Sequence, residues 1–431
     1  MFHRMATRAR VHYAWIVLAV TFLTLLASAG VRAAPGVLII PLEQEFHWTR
    51  ATISFAISVN ILLYGLMGPF AGALMQRFGV RRTTMVAMAM LAVGVGLATR
   101  LTQAWQLIAL WGIVVGLATG MVAIVLGATV VNRWFVNRRG LALGILTAST
   151  ATGQLVFLPM LASMIEHHGW RWAVWIVAGA AALMIPIVAL FMRDQPSDVG
   201  LAPFGGTPAD ADRSATRANP AAAAIAALGD GVRSRDFWLL FGTFFICGAS
   251  TNGLVGTHLI PAAHDHGIPE VRAAGLLALM GMFDLVGTTG SGWLTDRWDS
   301  RALLAWYYSL RGLSLVFLPF ALGGGDTGLL VFAIWYGLDW IATVPPTVKL
   351  ATDAFGKARA PIMFGWIAAG HQLGAAITAF AAGWIRTTFG DYQAAFWISG
   401  ALCLVAALLA LSVGRRSSLV PPSLRPSIAE S

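Results

Sequence analysis

The stretch Gly72-Ala-Leu-Met-Gln-Arg-Phe-Gly-Val-Arg-Arg82 has a counterpart later in the chain, Gly292-Trp-Leu-Thr-Asp-Arg-Trp-Asp-Ser-Arg301. The glycine and two of the arginines recur at one offset of 220 residues. The same offset returns in a second pair of loops, in the residue pairs Phe135/Phe355 and Arg139/Arg359. Agreement of several positions in two separate loops indicates an internal repeat. The chain is therefore predicted to contain two halves in parallel orientation.

The amino-acid composition indicates whether these halves are surrounded by water or by lipid. The 431 residues are 58% hydrophobic and only 11% charged, with a mean hydropathy of +0.73, whereas a soluble domain has about 25% charged residues. A water-soluble protein of this size needs more ionised side chains at its surface. The two cysteines, Cys247 and Cys403, lie in apolar runs, which excludes a disulfide-rich secreted scaffold. The chain is predicted to be an integral membrane protein.

Twelve apolar segments are long enough to cross a bilayer, because a helix needs about 20 residues to do so. They cover residues 13–40, 50–75, 83–100, 104–132, 140–164, 171–192, 237–261, 272–295, 302–322, 327–350, 361–385 and 393–413. The predicted fold is all-α, with twelve transmembrane helices in two pseudo-symmetric six-helix bundles. Its predicted parts are an N-terminal bundle (1–193), a cytoplasmic linker (194–236), a C-terminal bundle (237–414) and a cytoplasmic tail (415–431).

The distribution of basic residues predicts the orientation, because loops on the cytoplasmic side carry more lysine and arginine. With the N-terminus inside, 22 of the 29 basic residues lie on the cytoplasmic side and five on the other. Both termini are thus predicted to be cytoplasmic, and the net charge of +10 reflects topology rather than nucleic-acid binding. A signal peptide cleaved near Ala27-Ser28-Ala29 is the alternative, but the apolar run continues to Ile40.

The repeated loops resemble the loop signature of the major facilitator superfamily, and this resemblance covers essentially the whole chain. Further motifs are similar to the monocarboxylate-porter and oxalate/formate-antiporter branch, namely Trp134-Phe135 with Arg138-Arg139-Gly140, Gly169-Trp170-Arg171, and Pro196 followed by Gly200. The resemblance implies alternating access for small organic anions, often with a coupled proton. The chain departs from the superfamily pattern at Gln76, where an acidic residue is usual.

The repeated loops are candidate gates. Arginines at the membrane edge can bind carboxylates or the last carbonyls of neighbouring helices, and glycines let helices approach closely. We expect the opening of the cytoplasmic side to depend on Gly72, Arg77, Arg81, Asp296 and Arg297, with Asp296 available as an ion-pair partner. The alternative is that the arginines only set the orientation of the chain.

Four charged residues lie well inside the predicted spans, away from the span ends, where charge is costly and by default marks a polar pathway. They are Arg32, Asp284, Arg311 and Asp339. Arg32, in the outer part of the first predicted span, is predicted to bind a substrate carboxylate, because a guanidinium can donate two parallel hydrogen bonds to it. The alternative is that Arg32 reaches the outer headgroups. Other predicted substrate-binding residues are polar side chains of neighbouring spans, Asn60, Tyr64, Asn252 and His371.

Asp284, Arg311 and Asp339 are predicted to couple transport to protons, with Asp284 as the proton carrier. Asp284 falls at the position of the membrane aspartate in the porters that the chain resembles. The resemblance places the partner arginine of those porters at Thr288 and their first-helix lysine at Ala33, so neither basic residue is present. Arg311 either supplies a charge to Asp284 or forms a structural pair with Asp339, and the sequence leaves both arrangements open.

The predicted function is secondary active transport of a small organic anion, a monocarboxylate, by alternating access with proton symport. The alternatives are an anion exchanger or exporter of the same fold and, from a different class, a membrane sensor that transports nothing. The sequence contains no Walker loop, no paired metal-ligand spacing and no serine nucleophile elbow, so an enzyme is not predicted. The predicted protein is a monomer in the cell inner membrane, in contact with lipid, substrate and proton, without cofactor or nucleic acid.

Overall fold

The computed structural model describes residues 12–207, 220–356 and 359–414, which are folded almost entirely into helices. Within these residues twelve helices are long: α1 Tyr13–Phe46, α2 Arg50–Phe78, α3 Val80–Ala98, α4 Ala104–Trp134, α5 Arg139–His168, α6 Trp170–Phe191, α7 Arg235–Asp265, α8 Glu270–Thr295, α9 Ser300–Gly323, α10 Asp326–Phe355, α11 Ala360–Phe389 and α12 Gln393–Leu411. A shorter linker helix, Pro220–Gly231, lies between α6 and α7. The two chain ends predicted to be cytoplasmic, residues 1–11 and 415–431, lie outside the described residues.

The long helices match the predicted spans in number. Ten of them are long and apolar enough to cross a membrane by length and composition. The other two are α5 and α11, and in α11 the adjacent His371 and Gln372 interrupt the apolar sequence.

Helix α1 is longer than predicted, because Pro35 and Pro41 lie inside it and do not end it. Prolines are tolerated in membrane helices when neighbouring groups satisfy the freed backbone carbonyls. The helix ends at Phe46 rather than Ile40, so Arg32 lies 19 residues after its start and 14 before its end. Arg32, predicted to lie in the outer part of the first span, thus lies near the middle of the observed helix.

The twelve helices form two bundles of six. In the first bundle α1 packs on α5 and α3 on α6, and in the second the equivalent pairs are α7 with α11 and α9 with α12. The bundles meet through α2 with α11 and through α5 with α8. A shift of six helices converts one of these two pairs into the other, so the interface has the approximate two-fold symmetry expected of a parallel repeat.

The two ends of the bundles differ in charge and are named accordingly. The basic face contains the loops between α2 and α3 and between α8 and α9, with Arg77, Arg81, Arg297 and Arg301. The opposite face contains the loop between α1 and α2 and the last residues of α7 and α11.

The repeat extends to matching interruptions in two helices. Helix α4 is broken after Met121 and resumes at Ile124, and α10 is broken after Asp339 and resumes at Val344. The two restart positions are 220 residues apart, which is the offset of the loop motifs. Irregular backbone at membrane depth needs polar partners inside the protein. The break in α10 is therefore a place where buried polar side chains are expected.

The linker between the bundles is held at both of its described ends. The backbone N–H of Phe204 donates to the carbonyl of Trp134 at 2.8 Å, and its ring packs against Trp15 and Phe135. The linker helix packs against α2 and α11, and the indole of Trp366 donates to the carbonyl of Ala224 at 2.8 Å. The linker thus lies on the basic face and touches both bundles.

Substitution of Gly287 by alanine is expected to lower the thermal stability of the purified protein. A Cβ atom at position 287 would lie 1.8 Å from the carbonyl oxygen of Leu338 on α10, a backbone atom that cannot rotate away. Overpacking of this kind destabilises by about 1–3 kcal/mol. Gly290→Ala on the same helix is the matched control, because a Cβ there would meet no atom of the described residues within 4 Å. Equal melting temperatures of the two variants in detergent would contradict this close contact.

Candidate functional site

Arg32 is held on the surface of the first bundle by Tyr64 of α2. Its Nη1 donates to the Tyr64 hydroxyl at 3.1 Å, and its Cζ lies 4.4 Å from the centroid of the tyrosine ring. Both side chains are partly exposed. With 14 residues between Arg32 and the end of α1, about 21 Å of helix separates the guanidinium from the opposite face. The side chain is therefore held by Tyr64 near the middle of α1 and not at the end of the helix.

The repeat places a second pair at the equivalent positions of the second bundle. The offset of 220 residues relates Arg32 to Asn252 and Tyr64 to Asp284. Asn252 is partly exposed and lies in a π-helical segment of α7, Ala249–Val255. One bundle thus carries a cation and a phenol where the other carries an amide and a carboxylic acid. The equivalent positions of the two bundles therefore differ in charge and in hydrogen-bonding groups.

His371 and Asn60 differ in what they can contribute. The His371 ring is partly exposed, with Nε2 3.4 Å from the Thr251 hydroxyl and its centroid 5.1 Å from that of Phe244. Asn60 is only 7% exposed, and its amide donates to the carbonyl of Trp111 at 2.6 Å. This bond joins α2 to α4, and no hydrogen bond links Asn60 to Arg32 or Tyr64 in the described part of the chain.

Arg311 pairs with Asp339, which answers the question that the sequence left open. The guanidinium is fully buried, and its Nε donates to Oδ2 of Asp339 at 2.7 Å. Its Nη2 donates to the carbonyls of Asp339 and Trp340 at 2.5 and 3.1 Å, and Nη1 lies 3.0 Å from the sulfur of Cys247. Arg311 therefore satisfies carbonyl groups at the break in α10. Removing one member of such a buried pair costs about 3–5 kcal/mol.

Asp284 of α8 also binds the backbone at the break in α10. Its Oδ1 accepts hydrogen bonds from the backbone N–H of Ile341 at 2.8 Å and from the hydroxyl of Thr288 at 2.9 Å. The hydroxyl of Ser291 donates to the carbonyl of Ala342 at 2.5 Å. Asp284 is 5% exposed, so it is nearly but not fully enclosed. The carboxylate thus occupies a position from which its charge state affects the backbone of α10.

One oxygen of this cluster lacks a partner. Oδ1 of Asp339 is buried and accepts no hydrogen bond from the described residues. A buried carboxylate oxygen without a donor is unfavourable when ionised, and a bound proton or an internal water relieves the penalty.

In both the α2–α3 loop and the α8–α9 loop, a carboxylate accepts a hydrogen bond from the backbone N–H of the equivalent arginine. The carboxylate comes from a different position of the chain in each loop. Asp299 caps α9, and its Oδ1 accepts from the backbone N–H of Arg301 at 2.9 Å. In the first bundle the equivalent position is Gly79, and Oδ1 of Asp194 accepts from the N–H of Arg81 at 2.8 Å. Gly79 has a φ of +86°, and a Cβ there would lie 2.6 Å from the Asp194 carboxylate. Asp194, which follows α6, was not identified from the sequence, because only the folded chain brings it to this loop.

The remaining predicted gate residues do not form the expected ion pair. Asp296 is exposed and makes no ion pair with any other residue that the structure describes. Its neighbour Arg297 stacks on Trp293, 4.1 Å from the ring centroid. The ion pair of this loop is Asp299 with Arg301 at 2.9 Å, and the hydrogen bond from Arg301 lowers the pKa of Asp299. Among the described residues, Asp296 therefore has no partner for the ion pair that the sequence suggested.

The other two gate candidates lie at the end of α2. Arg77 lies over the ring of Phe78 at 5.3 Å from its centroid. A Cβ added at Gly72 would lie 3.6 Å from Val125, so this glycine faces α4 within the first bundle. Gly72 is therefore placed at the contact between α2 and α4, whereas the contact of Arg77 lies within its own helix.

Comparison with known proteins assigns the family. The model of the Major Facilitator Superfamily matches residues 20–348 and 341–429. The chain belongs to the major facilitator superfamily. The predicted resemblance is confirmed, and the members of this superfamily to which the chain is similar are transporters rather than enzymes.

Among the relatives of this superfamily member are monocarboxylate transporters. It is 25% identical over 417 residues to monocarboxylate transporter 13 of Bos taurus, covering 96% of this chain and 92% of the relative. It is 26% identical over 413 residues to monocarboxylate transporter 11 of Homo sapiens, covering 94% and 83%. The uncharacterized MFS-type transporter YcxA of Bacillus subtilis (strain 168) is 24% identical over 407 residues, covering 91% and 92%.

Solved structures of other proteins share the fold. A mutant form of the nucleoside transporter NupG matches with a TM-score of 0.75 at 11% identity, over 93% of this chain and all of that one. A D-xylose-proton symporter matches with a TM-score of 0.71 at 15% identity, over 93% of this chain and 98% of that one. The predicted architecture, an all-α multi-pass membrane protein with twelve transmembrane helices, is confirmed by these matches and by the helices of the chain.

Proposed function

We propose that this superfamily member is a secondary active transporter of a small organic anion, a monocarboxylate, which it moves together with a proton by alternating access. The main observation behind the proposal is the environment of the Arg32 side chain. Its guanidinium is partly exposed at mid-depth, and no carboxylate of the described residues lies within ion-pair distance. An unneutralised cation inside a membrane protein is costly and favours a bound anion. A single carboxylate matches the geometry of the guanidinium fork.

The proposed substrate contacts come from both bundles. Arg32 and Tyr64 bind the carboxylate of the anion from the first bundle, and Asn252 and His371 contact its remainder from the second. All four side chains are partly exposed. A substrate-binding region between the bundles at mid-depth is the arrangement found in transporters built from repeats.

The proposed proton site is the acidic cluster of the second bundle. Asp284 is the carrier, because it is the acid at the position equivalent to Tyr64 and is not neutralised by Arg311, which pairs with Asp339. The Arg311–Asp339 pair supports the carrier by fixing the break in α10, to which Asp284 also binds. Protonation of Asp284 weakens its hold on the N–H of Ile341, which connects the proton to the shape of α10.

The proposed orientation places the basic face in the cytoplasm, with both termini on that side, since cytoplasmic loops are the ones enriched in arginine and lysine. The protein is located in the cell inner membrane and acts as a monomer without a cofactor. The loops that contain Gly72, Arg77, Arg81, Asp296 and Arg297 act as hinges of the cytoplasmic side.

Reconstitution in liposomes tests this proposal. With radiolabelled short-chain monocarboxylates outside and an alkaline interior, the protein is expected to concentrate the anion. For one proton per anion, a gradient of one pH unit supports at most about tenfold accumulation. Uptake without an imposed gradient should acidify the liposome interior. Uptake only into liposomes that already contain an anion would instead establish an exchanger, and binding without any flux would establish a sensor.

A further inference from the structure

Four charged side chains meet at the opposite face, where the two bundles touch. Arg50, the first residue of α2, lies at the centre, and its Nη2 and Nη1 bind the two oxygens of Asp265 at 2.7 and 2.8 Å. Its Nε binds Glu43 at 2.8 Å. Arg386 of α11 binds the same carboxylate of Asp265 at 2.7 Å. Arg50 is only 4% exposed, although it lies at the end of a helix.

The cluster joins the two bundles through one bidentate pair. Glu43 and Arg50 belong to the first bundle, and Asp265 and Arg386 belong to the second. The Arg50–Asp265 pair therefore crosses the interface, whereas the Arg386–Asp265 pair lies within one bundle. A bidentate arginine–carboxylate pair is stronger and more specific in geometry than a single contact.

Neutral groups of the second bundle support the arginine. Arg50 Nη1 also lies 3.3 Å from the hydroxyl of Tyr392 and 3.4 Å from the carbonyl of Pro261. Tyr392 is held by the fully buried His258, whose Nδ1 is 3.2 Å from the tyrosine oxygen. The other ring nitrogen of His258 lies 2.8 Å from the carbonyl of Ala379 on α11. The guanidinium thus rests in a preformed socket of the second bundle.

The helices behind the cluster are closely packed. A Cβ at Gly383 of α11 would lie 2.2 Å from the hydroxyl oxygen of Ser54, one turn after Arg50 on α2. The rings of Phe55 and Phe380 are 5.7 Å apart, and the backbone N–H of Ala51 donates to Thr387 at 3.1 Å. The interface between the bundles is closed at this face.

The basic face differs. Glycines near the basic-face ends of α5, α8 and α11 have room for a Cβ, with no atom of the described residues within 4 Å; they are Gly140, Gly144, Gly290, Gly292 and Gly365. The close contacts between the bundles are therefore found toward the opposite face and are not repeated at these positions.

We propose that Arg50 is the hub of a gate at the opposite face, which must separate from Asp265 whenever the binding region opens to that side. The gate rests on the alternating access proposed above. Because Asp265 keeps its partner Arg386, loss of Arg50 does not leave an unpaired carboxylate in the second bundle. The variant therefore weakens the closed interface, and within the first bundle it removes only the pair with Glu43, whose side chain is 35% exposed.

Thiol labelling from the two sides of the membrane tests the gate. Ser54→Cys introduces a probe that is fully buried behind the cluster, while the two native cysteines are buried within the second bundle. A membrane-impermeant maleimide is applied to intact cells and to inverted vesicles, with the otherwise wild-type chain as background. Adding Arg50→Ala is expected to raise the labelling rate from the opposite face roughly 30-fold or more, as loss of a buried charged pair implies.

Arg171→Ala is the matched control. Arg171 forms a bidentate pair with Glu45 at the same face, but both residues belong to the first bundle. Its loss should leave the labelling rate of Ser54→Cys unchanged. Arg50→Lys, which keeps the charge and loses the fork, should give an intermediate rate and serves if Arg50→Ala does not fold.

The outcomes separate the two proposals. If Ser54→Cys is never labelled from the opposite face at any pH or with any carboxylate substrate, alternating access itself is wrong. If it is labelled, but the Arg50 variants and Arg171→Ala have equal rates, alternating access stands and the gate is overturned.

Discussion

Arg32→Ala is expected to abolish anion uptake while leaving the amount of folded protein unchanged. The guanidinium is the single cation proposed to meet the carboxylate of the substrate, and hydrogen bonds to charged groups contribute about 1.5–3 kcal/mol each. Two such bonds correspond to a loss of about 100-fold or more in transport efficiency. Initial uptake rates in liposomes, normalised to protein recovered after size-exclusion chromatography, measure the effect. Because Arg32 is partly exposed and not part of an ion pair with the described residues, its removal does not strand a buried acid.

Two further variants distinguish charge from geometry at this position. Arg32→Lys keeps the charge but cannot form the planar fork, so it should retain uptake with a higher KM. Tyr64→Phe removes the hydroxyl that accepts from Arg32 at 3.1 Å and keeps the ring on which the guanidinium lies. Tyr64→Phe should therefore lower the uptake rate less than Arg32→Ala does. Normal uptake by Arg32→Ala would remove Arg32 from the binding site.

Asp284→Asn is expected to preserve exchange of substrate and to eliminate accumulation driven by a pH gradient. The asparagine carbonyl can still accept from the N–H of Ile341 and the hydroxyl of Thr288, which now bind Oδ1 of Asp284. It cannot take up a proton in the physiological range. The carrier should therefore still move the anion down its gradient, and the accumulation ratio should fall from about tenfold per pH unit to about one.

The control for this variant is Asp326→Asn, the same chemical change at an exposed residue at the start of α10. Asp326 pairs with Arg272 of the second bundle at the opposite face and has no proposed part in transport. It should accumulate anion like the unmodified protein. If Asp284→Asn also accumulates anion fully, another group carries the proton, and Asp339 with its unpartnered Oδ1 becomes the next candidate.

Much of the fold could be predicted because a bilayer imposes a simple rule on composition. Segments of about 20 apolar residues must be helical to satisfy their backbone, and the twelve predicted segments coincide with α1 to α12. The errors lie at helix ends and interruptions. Helix α1 continues through Pro35 and Pro41, and α10 breaks between Asp339 and Val344. Both depend on partners from other helices, such as Arg311 and Asp284 at the α10 break, which are distant in the chain.

The candidate site was predictable in its residues and not in its pairings. Arg32, Asp284, Arg311 and Asp339 were identified because charges inside membrane helices are rare and costly. Which acid pairs with Arg311 is a question of helix rotation and packing, and the contact at 2.7 Å to Asp339 decides it.

Two contacts at opposite ends of the bundles were likewise not predictable from the sequence. Asp194 takes the place of a loop acid in the first bundle, and Arg50 crosses the interface to Asp265. The offset of 220 residues relates Arg50 to Glu270 and Asp194 to Gly414, so neither residue type recurs and the repeat carries no signal for these contacts.

The sequence by itself determined the class of this protein, its twelve helices, its two-fold repeat and the few charges that its interior contains. These follow from local composition and from periodicity, which act within one helix or one loop. Only the tertiary structure decided that Arg32 lies against Tyr64 without an ion-pair partner among the described residues, that Arg311 and Asp284 share the break in α10, and that Arg50 joins the bundles. A buried charge is stabilised only by atoms a few ångströms away, and these come from helices that are far apart in the chain.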